Sequence, residues 1–168
     1  MKNMRLLIDT NILIDVLDQR EPFFPDSLTI WRYCESKDGE GVISAVSVTN
    51  LVYIMRKYMT PEAAERVVAL MAGIFTIESV DASCLTEAAS LKWKDFEGAL
   101  QFISARKAHA DAIVTRNPRD FSGCGIPVLT PRQLILRLTE SPDSPAGAET
   151  SARSEGADAA LLRGENSQ

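Results

Sequence analysis

Arg5-Leu6-Leu7-Ile8-Asp9-Thr10-Asn11-Ile12-Leu13-Ile14-Asp15 is the stretch that decides the fold of this 168-residue chain. Leu6, Leu7 and Ile8 make an unbroken apolar run, which reads as a short strand buried on both faces of a parallel sheet. Asp9 falls at the carboxyl end of that strand, the edge where open α/β sheets bind ligands. A carboxylate there points to metal or phosphate chemistry. The residues from Asn11 to Leu17 read as a short helix that Thr10 or Asn11 caps, with Asp9 as the alternative cap.

Strand and helix alternate from there onward. After the break at Glu21-Pro22-Phe23-Phe24-Pro25, Asp26 is expected to cap a helix carrying Leu28, Ile30, Trp31 and Cys34, which Gly39 and Gly41 end. Residues 42–45 read as a second strand. Residues 46–59 read as a helix with Leu51, Ile54, Met55 and Tyr58 at i, i+3, i+4, i+7 spacing. Thr60 as cap and Pro61 at the first helical position open another helix, expected to run to about Ala72 and to stop at Gly73. Residues 75–80 alternate as a third strand, and Asp81 caps a helix to about Leu91. Asp95 caps the next, which carries Phe96, Ala99, Leu100 and Ile103. Residues 112–115 form a fourth strand, 116–125 a polar loop, and 127–129 a fifth strand. Thr130-Pro131 starts a last helix that ends near Leu138. Such βαβα alternation with short connections predicts an α/β fold, a mostly parallel sheet of about five short strands covered by helices.

Composition divides the chain in two. Residues 1–138 hold the periodic pattern of one domain. Residues 139–168 are rich in Ser, Ala, Gly, Glu and Pro and hold six acids against two bases. Such a segment buries too little apolar surface to order itself, so a disordered acidic tail is expected, with a short helix at most at 158–162. The tail supplies most of the net charge of −5. The domain is therefore nearly neutral, with no basic stripe of the kind that marks a nucleic-acid binder outright. Cys34, Cys84 and Cys124 are odd in number and widely spaced, which suggests neither a disulfide framework nor a zinc site. No apolar run approaches the roughly 20 residues that cross a bilayer. No signal-peptide core precedes Asp9, so a cytoplasmic protein is expected.

Four polar clusters fall at or after strand ends on one edge of such a sheet. They are Asp9 with Asn11, Thr49-Asn50, Asp95-Phe96-Glu97-Gly98, and Thr115-Arg116-Asn117-Pro118-Arg119-Asp120-Phe121. Carboxylates converging there without basic partners repel one another, and a divalent cation is the usual remedy. Oxygen-only ligands suit Mg²⁺ or Mn²⁺. Simpler readings stand beside this one: Asp95 as a helix cap, Asp120 closing an Asx-turn after Asn117-Pro118, and Asp15 orienting Thr10 or backbone groups from within its helix. Asp111 precedes the fourth strand and lies at the opposite edge, as does His109, so both read as structural.

These clusters together resemble the PIN domain, in particular the VapC-type toxins and their relatives. The resemblance spans about residues 4–136. It implies a three-layer αβα fold and a metal-dependent ribonuclease that clusters acidic residues around Mg²⁺ or Mn²⁺ and hydrolyses RNA phosphodiester bonds. It implies an antitoxin protein as partner and a homodimer. By position, Asp9 matches the first metal carboxylate, and Asp120 or the Asn117 position matches the last acidic region. Thr10, Asn11, Thr115 and Asn117 order the site, and Arg116 and Arg119 are candidates to contact RNA phosphates. Two positions depart from the pattern: Asn50 stands where many members have Glu, and Gly98 where the family usually has Asp. Asn50 still offers an oxygen without charge, whereas Gly98 offers nothing. Glu97 and Asp95 are the nearby substitutes, with Asp95 on nearly the same helix face. A second reading follows: a catalytically degenerate module that binds RNA or a protein partner. A haloacid-dehalogenase-like phosphatase also begins with strand-Asp, but it needs an acid where this chain has Asn11. No GxGxxG or GxxxxGK[ST] occurs, which disfavours nucleotide-binding folds of those kinds.

Overall fold

The computed structural model describes residues 3–56 and 60–140. The acidic tail beyond 140, and the end of the helix expected to reach residue 59, lie outside the described residues. In chain order the elements are β1 (Arg5–Ile8), α1 (Thr10–Leu17), α2 (Phe24–Glu35), β2 (Glu40–Ser44), α3 (Ala45–Met55), α4 (Pro61–Ile74), β3 (Thr76–Glu78), α5 (Ala82–Ser90), α6 (Phe96–Lys107), β4 (Ala112–Val114), β5 (Val128–Leu129) and α7 (Pro131–Glu140). A 3-10 turn at Pro118–Phe121 lies between β4 and β5.

The five strands form one sheet in the order β3-β2-β1-β4-β5, and every pairing is parallel. Leu7 at the centre pairs with Val42 on one side and Ile113 on the other. Alternate residues of β1 face opposite ways, which explains why its run is apolar without a break. Leu6 and Ile8 join a cluster with Ile12, Leu13, Ile30, Met71 and Leu134 beneath α1, α2, α4 and α7. Leu7 joins a second cluster with Val42, Leu100, Ile103, Ile113 and Phe121 beneath α5 and α6. The three-layer αβα arrangement is thus as expected. Strand β1 neighbours β2 on one side and β4 on the other, so the order reverses between β1 and β4. Such a switch point opens a crevice at the carboxyl edge.

Several boundaries differ from the sequence reading. Helix α2 begins at Phe24 with Phe23 as its cap residue, and Asp26 lies in the first turn. Pro25 explains this, since its fixed φ and missing donor suit the first helical positions, where the Asp26 carboxylate then meets the positive end of the helix. Neither Gly39 nor Gly41 ends that helix, which stops at Glu35. Gly41 lies within β2, where a Cβ would stand 2.6 Å from Phe75 Cδ1 and 2.8 Å from Cys34 Sγ, so packing requires a glycine there. Helix α4 runs through Gly73 to Ile74, because Val67, Met71 and Ile74 are buried on one continuous face and outweigh one glycine. The caps at Thr60 and Asp81 are as expected, with side chains accepting from the Ala63 and Cys84 amides. Thr130 and Gln133 form a reciprocal capping pair at the start of α7.

Candidate active site

Strands β1, β2 and β4 are neighbours and run parallel, so their carboxyl ends bring Asp9, Ser44 and Thr115 to one edge. Asp9 continues the ladder, its N–H donating to Val114 O at 3.0 Å. Its extended backbone then turns into α1. Asp9, rather than Thr10 or Asn11, is the cap residue of α1: Oδ1 accepts from Asn11 N at 3.4 Å, a long contact, while Oδ2 accepts from Asn11 Nδ2 at 2.7 Å and from Thr115 Oγ1 at 2.6 Å. Oδ1 therefore retains most of its acceptor capacity. Burial pushes the Asp9 carboxyl above its ordinary value of 3.8, hydrogen bonds from Thr115, Gln101 and Asn11 oppose that, and the negative charge of Glu97 adds to it.

The loop after β4 is tied to Asp9 by three of the residues expected to order the site, Asn11, Thr115 and Asn117. Thr115 Oγ1 donates to Asp9 and accepts from Asn117 N at 3.0 Å. Asn11 Oδ1 accepts from Arg116 N at 3.3 Å. On the other side, Thr10 links Asp9 to α6. Its Oγ1 lies 2.7 Å from Glu97 Oε1 and 2.8 Å from Ser47 Oγ. Thr10 has one proton, and the carboxylate takes it. Thr10 therefore accepts from Ser47 and from Gln101 Nε2, which lies 3.2 Å away. Gln101 Nε2 also lies 3.3 Å from Glu97 Oε1. Ser47 and Gln101 are site residues that sequence reasoning left without a role. Both sit one helical turn from a polar site position, Asn50 and Glu97 respectively.

The remaining candidates make no side-chain hydrogen bond to Asp9 or Glu97. Asn50 is half-buried on α3. Asp95 is the cap residue of α6, but its side chain makes no capping hydrogen bond, contrary to expectation. It lies over Gly98 instead: a Cβ on Gly98 would stand 2.9 Å from Asp95 Oδ2. Asp120 and Asp95 line a separate polar cleft of about 580 Å³ with Trp93, Lys94, Arg119 and Ser122. Asp9 is not part of its lining. Among the described residues no group of three His, Cys, Asp or Glu side chains is placed to hold a metal.

Asp15 does not orient Thr10. It is fully buried, accepts from Ser27 Oγ at 3.1 Å, and holds Arg116, whose Nε lies 3.0 Å from Asp15 Oδ2. The N–H is not aligned on that oxygen, and Asp15 Oδ1 has no hydrogen-bond partner. Burial pushes the Asp15 carboxyl up, against the pull of Arg116, Ser27 and Arg20. The Arg116 guanidinium also stacks on Phe23, 4.3 Å from its ring centre. Asp111 is structural, accepting from Arg5 N at the amino edge of the sheet. The three cysteines are free, and burial pushes the Cys34 thiol up to about 12.

Fold and site together define an α/β protein with a buried carboxylate centre at the switch point of a parallel sheet. A family model described as PIN domain matches residues 5–119, and the chain belongs to the PIN domain family. Solved structures of the same fold include a toxin-antitoxin complex from Klebsiella pneumoniae, 22% identical, with a TM-score of 0.57, covering 75% of this chain and 97% of that one. VapBC2 from Rickettsia felis bound to a DNA fragment from its promoter is 17% identical, with a TM-score of 0.55 and coverage of 76% and 98%. Mycobacterium tuberculosis VapC20, a sarcin-ricin loop cleaving toxin, is 16% identical, with a TM-score of 0.53 and coverage of 64% and 86%. None of the curated proteins matches this chain significantly.

Proposed function

We propose that this protein is a metal-dependent ribonuclease of the PIN type, the toxin of a toxin-antitoxin pair, acting in the cytoplasm. The observation that carries the reading is the Asp9 carboxylate, buried at the carboxyl end of β1 with Glu97 beside it and, among the described residues, no basic side chain hydrogen-bonded to either. The likeness to toxin structures supports the fold of such an enzyme, and residues 1–138 are taken as its domain. The solved toxin-antitoxin complexes of related fold support an antitoxin as the partner to look for, and a homodimer is proposed beside it.

The residues fit a hard divalent cation. The donors are all oxygens, Asp9 Oδ1 is nearly free, and Gln101 Oε1 is buried without a partner. Mg²⁺ is commonly held by one or two carboxylates, with waters and substrate phosphates completing the shell. Asp9 and Glu97 would hold it; Asp120, Asp95 and Asn50 remain proposed donors, although Asp120 and Asp95 line a cleft that does not include Asp9. Bound there, Mg²⁺ or Mn²⁺ supplies a water of lowered pKa and charge stabilisation for a phosphodiester displacement. Thr10, Gln101 and Ser47 fix the Glu97 carboxylate, while Thr115 and Asn11 fix that of Asp9. Arg119, exposed on the 3-10 turn, is the residue proposed to meet an RNA phosphate.

A second reading has its own support. Gly98 and Asn50 remove two acids, and the described residues contain no three-acid group. A module that binds RNA or a partner without cleaving it is consistent with both. Calorimetric titration with Mn²⁺ separates the two. The ribonuclease reading expects binding that Asp9→Ala abolishes, together with Mn²⁺-dependent cleavage of single-stranded RNA. Absence of both supports the degenerate module.

A further inference from the structure

A second cleft, of about 200 Å³, opens beside α2 and is lined by Pro22, Phe23, Asp26, Arg116, Pro131 and Arg132 among others. We propose that it binds one unpaired nucleobase of the RNA, next to the phosphate that Asp9 serves. The proposal rests on the ribonuclease reading above.

Three observations support a base over other occupants. The cleft contains a ready stacking surface. Phe23 is 42% exposed, and the Arg116 guanidinium carbon lies over its ring, 4.3 Å from the ring centre. Bases stack on aromatic rings and on guanidinium planes alike. This surface is held in place from behind. Arg116 cannot swing out without stripping buried Asp15 of its counter-charge, 3.0 Å away. Charge is also balanced, because Arg116 faces Asp15, and Arg132 Nη1 lies 3.8 Å from Asp26 Oδ1. A phosphate or a charged peptide gains little from a site with no net charge. A neutral planar ring gains the stack and finds hydrogen-bonding groups on Asp26, Arg132 and Thr130 at its edge. A paired base in a duplex has no free face to offer, so the occupant belongs to a single strand.

The cleft is also coupled to the carboxylate centre. Asn11 accepts from Arg116 N through Oδ1 and donates to Asp9 Oδ2 through Nδ2. One side chain thus spans the wall of the cleft and the Asp9 carboxylate. This gives Arg116 a role other than the phosphate contact expected of it.

The test measures binding of a single-stranded RNA octamer and of a backbone-only abasic octamer to the full chain carrying Asp9→Asn, which blocks cleavage. We expect Phe23→Ala to shrink the preference for the base-bearing octamer roughly tenfold, the order of one stacked base, and to leave abasic binding unchanged. Phe23→Leu keeps the apolar bulk but loses the ring face, so it should behave like Phe23→Ala; rescue by leucine would mean a packing role and overturn the proposal. If the octamer is bound and the wild-type chain cleaves RNA, yet the preference survives both changes, the base site is wrong and the ribonuclease reading stands. If the wild-type chain neither binds nor cleaves RNA, both readings fall. If the Phe23 variants spare RNA but weaken an antitoxin complex, the cleft docks protein and the proposal is overturned.

Discussion

The Asp95 carboxylate occupies the space that a side chain at position 98 would need: its Oδ2 stands 2.9 Å from where a Gly98 Cβ would lie. The residue missing its acid and the nearest substitute are therefore coupled. Asp95 is exposed and its carboxylate is the movable end of the side chain, so a Cβ at 98 displaces it at small cost. We expect Gly98→Asp to tighten Mn²⁺ binding by about tenfold, since affinity follows the number of charged ligands. The gain should be larger in an Asp95→Ala background, where the new side chain has room. Calorimetry on the four combinations checks this, and equal gains in both backgrounds would disprove the coupling.

Thr115 is expected to stabilise the charged form of Asp9. Thr115→Val keeps the shape and deletes a 2.6 Å hydrogen bond to a buried carboxylate, a loss of about 2 kcal/mol at neutral pH. The bond lowers the folded pKa of Asp9, so its contribution is present when Asp9 is ionised and is lost as pH falls through the range where Asp9 takes up a proton. Denaturant melts of both proteins from pH 7 to pH 3 should show the difference shrinking.

The buried pair of Asp15 and Arg116 predicts an asymmetry. Arg116→Ala leaves Asp15 buried without its counter-charge and should cost about 3–5 kcal/mol, whereas Asp15→Asn removes the charge itself and should cost less. Asp15 already has a folded pKa above its ordinary 3.8, so it binds more protons folded than unfolded. Stability therefore falls as pH rises between the unfolded and folded values. Losing Arg116 raises the folded value further and should extend that fall to higher pH. A pH series of thermal melts measures it.

Arg119 should act on RNA alone. It is exposed on the 3-10 turn and lines the polar cleft with Asp120. Arg119→Ala should leave the melting temperature unchanged and lower the slope of log affinity against log salt by about 0.7, the value of one phosphate contact on a single strand. Filter binding across a salt series gives the slope.

Much of this was legible in the sequence. The run Leu6-Leu7-Ile8 placed β1 inside the sheet because a strand covered on both faces has no polar alternation to lose. Asp9 followed at the correct edge. Local pattern could not show long-range partners. Locally, Asp15 reads as a residue of α1 that orients Thr10 or backbone groups, yet its partner Arg116 lies 101 positions away in the loop after β4. Ser47 and Gln101 drew no notice because hydroxyl and amide side chains are common on helices; only the fold brings them to Thr10. Asp95 occupied a cap position by every local rule, but its carboxylate settled over the notch left by Gly98. The ends of α2 and α4 moved for the same reason in reverse: prolines already fit a helix start, and a buried apolar face carried α4 through Gly73.

Mn²⁺-dependent cleavage of single-stranded RNA by the full chain, compared with Asp9→Asn at matched concentration and confirmed folding, tests the central claim most directly. The account predicts cleavage that requires the metal and falls by at least about a hundredfold in the variant, the order expected when a positioned catalytic group is lost. Cleavage by Asp9→Asn at the wild-type rate, or undiminished after chelation, would contradict it.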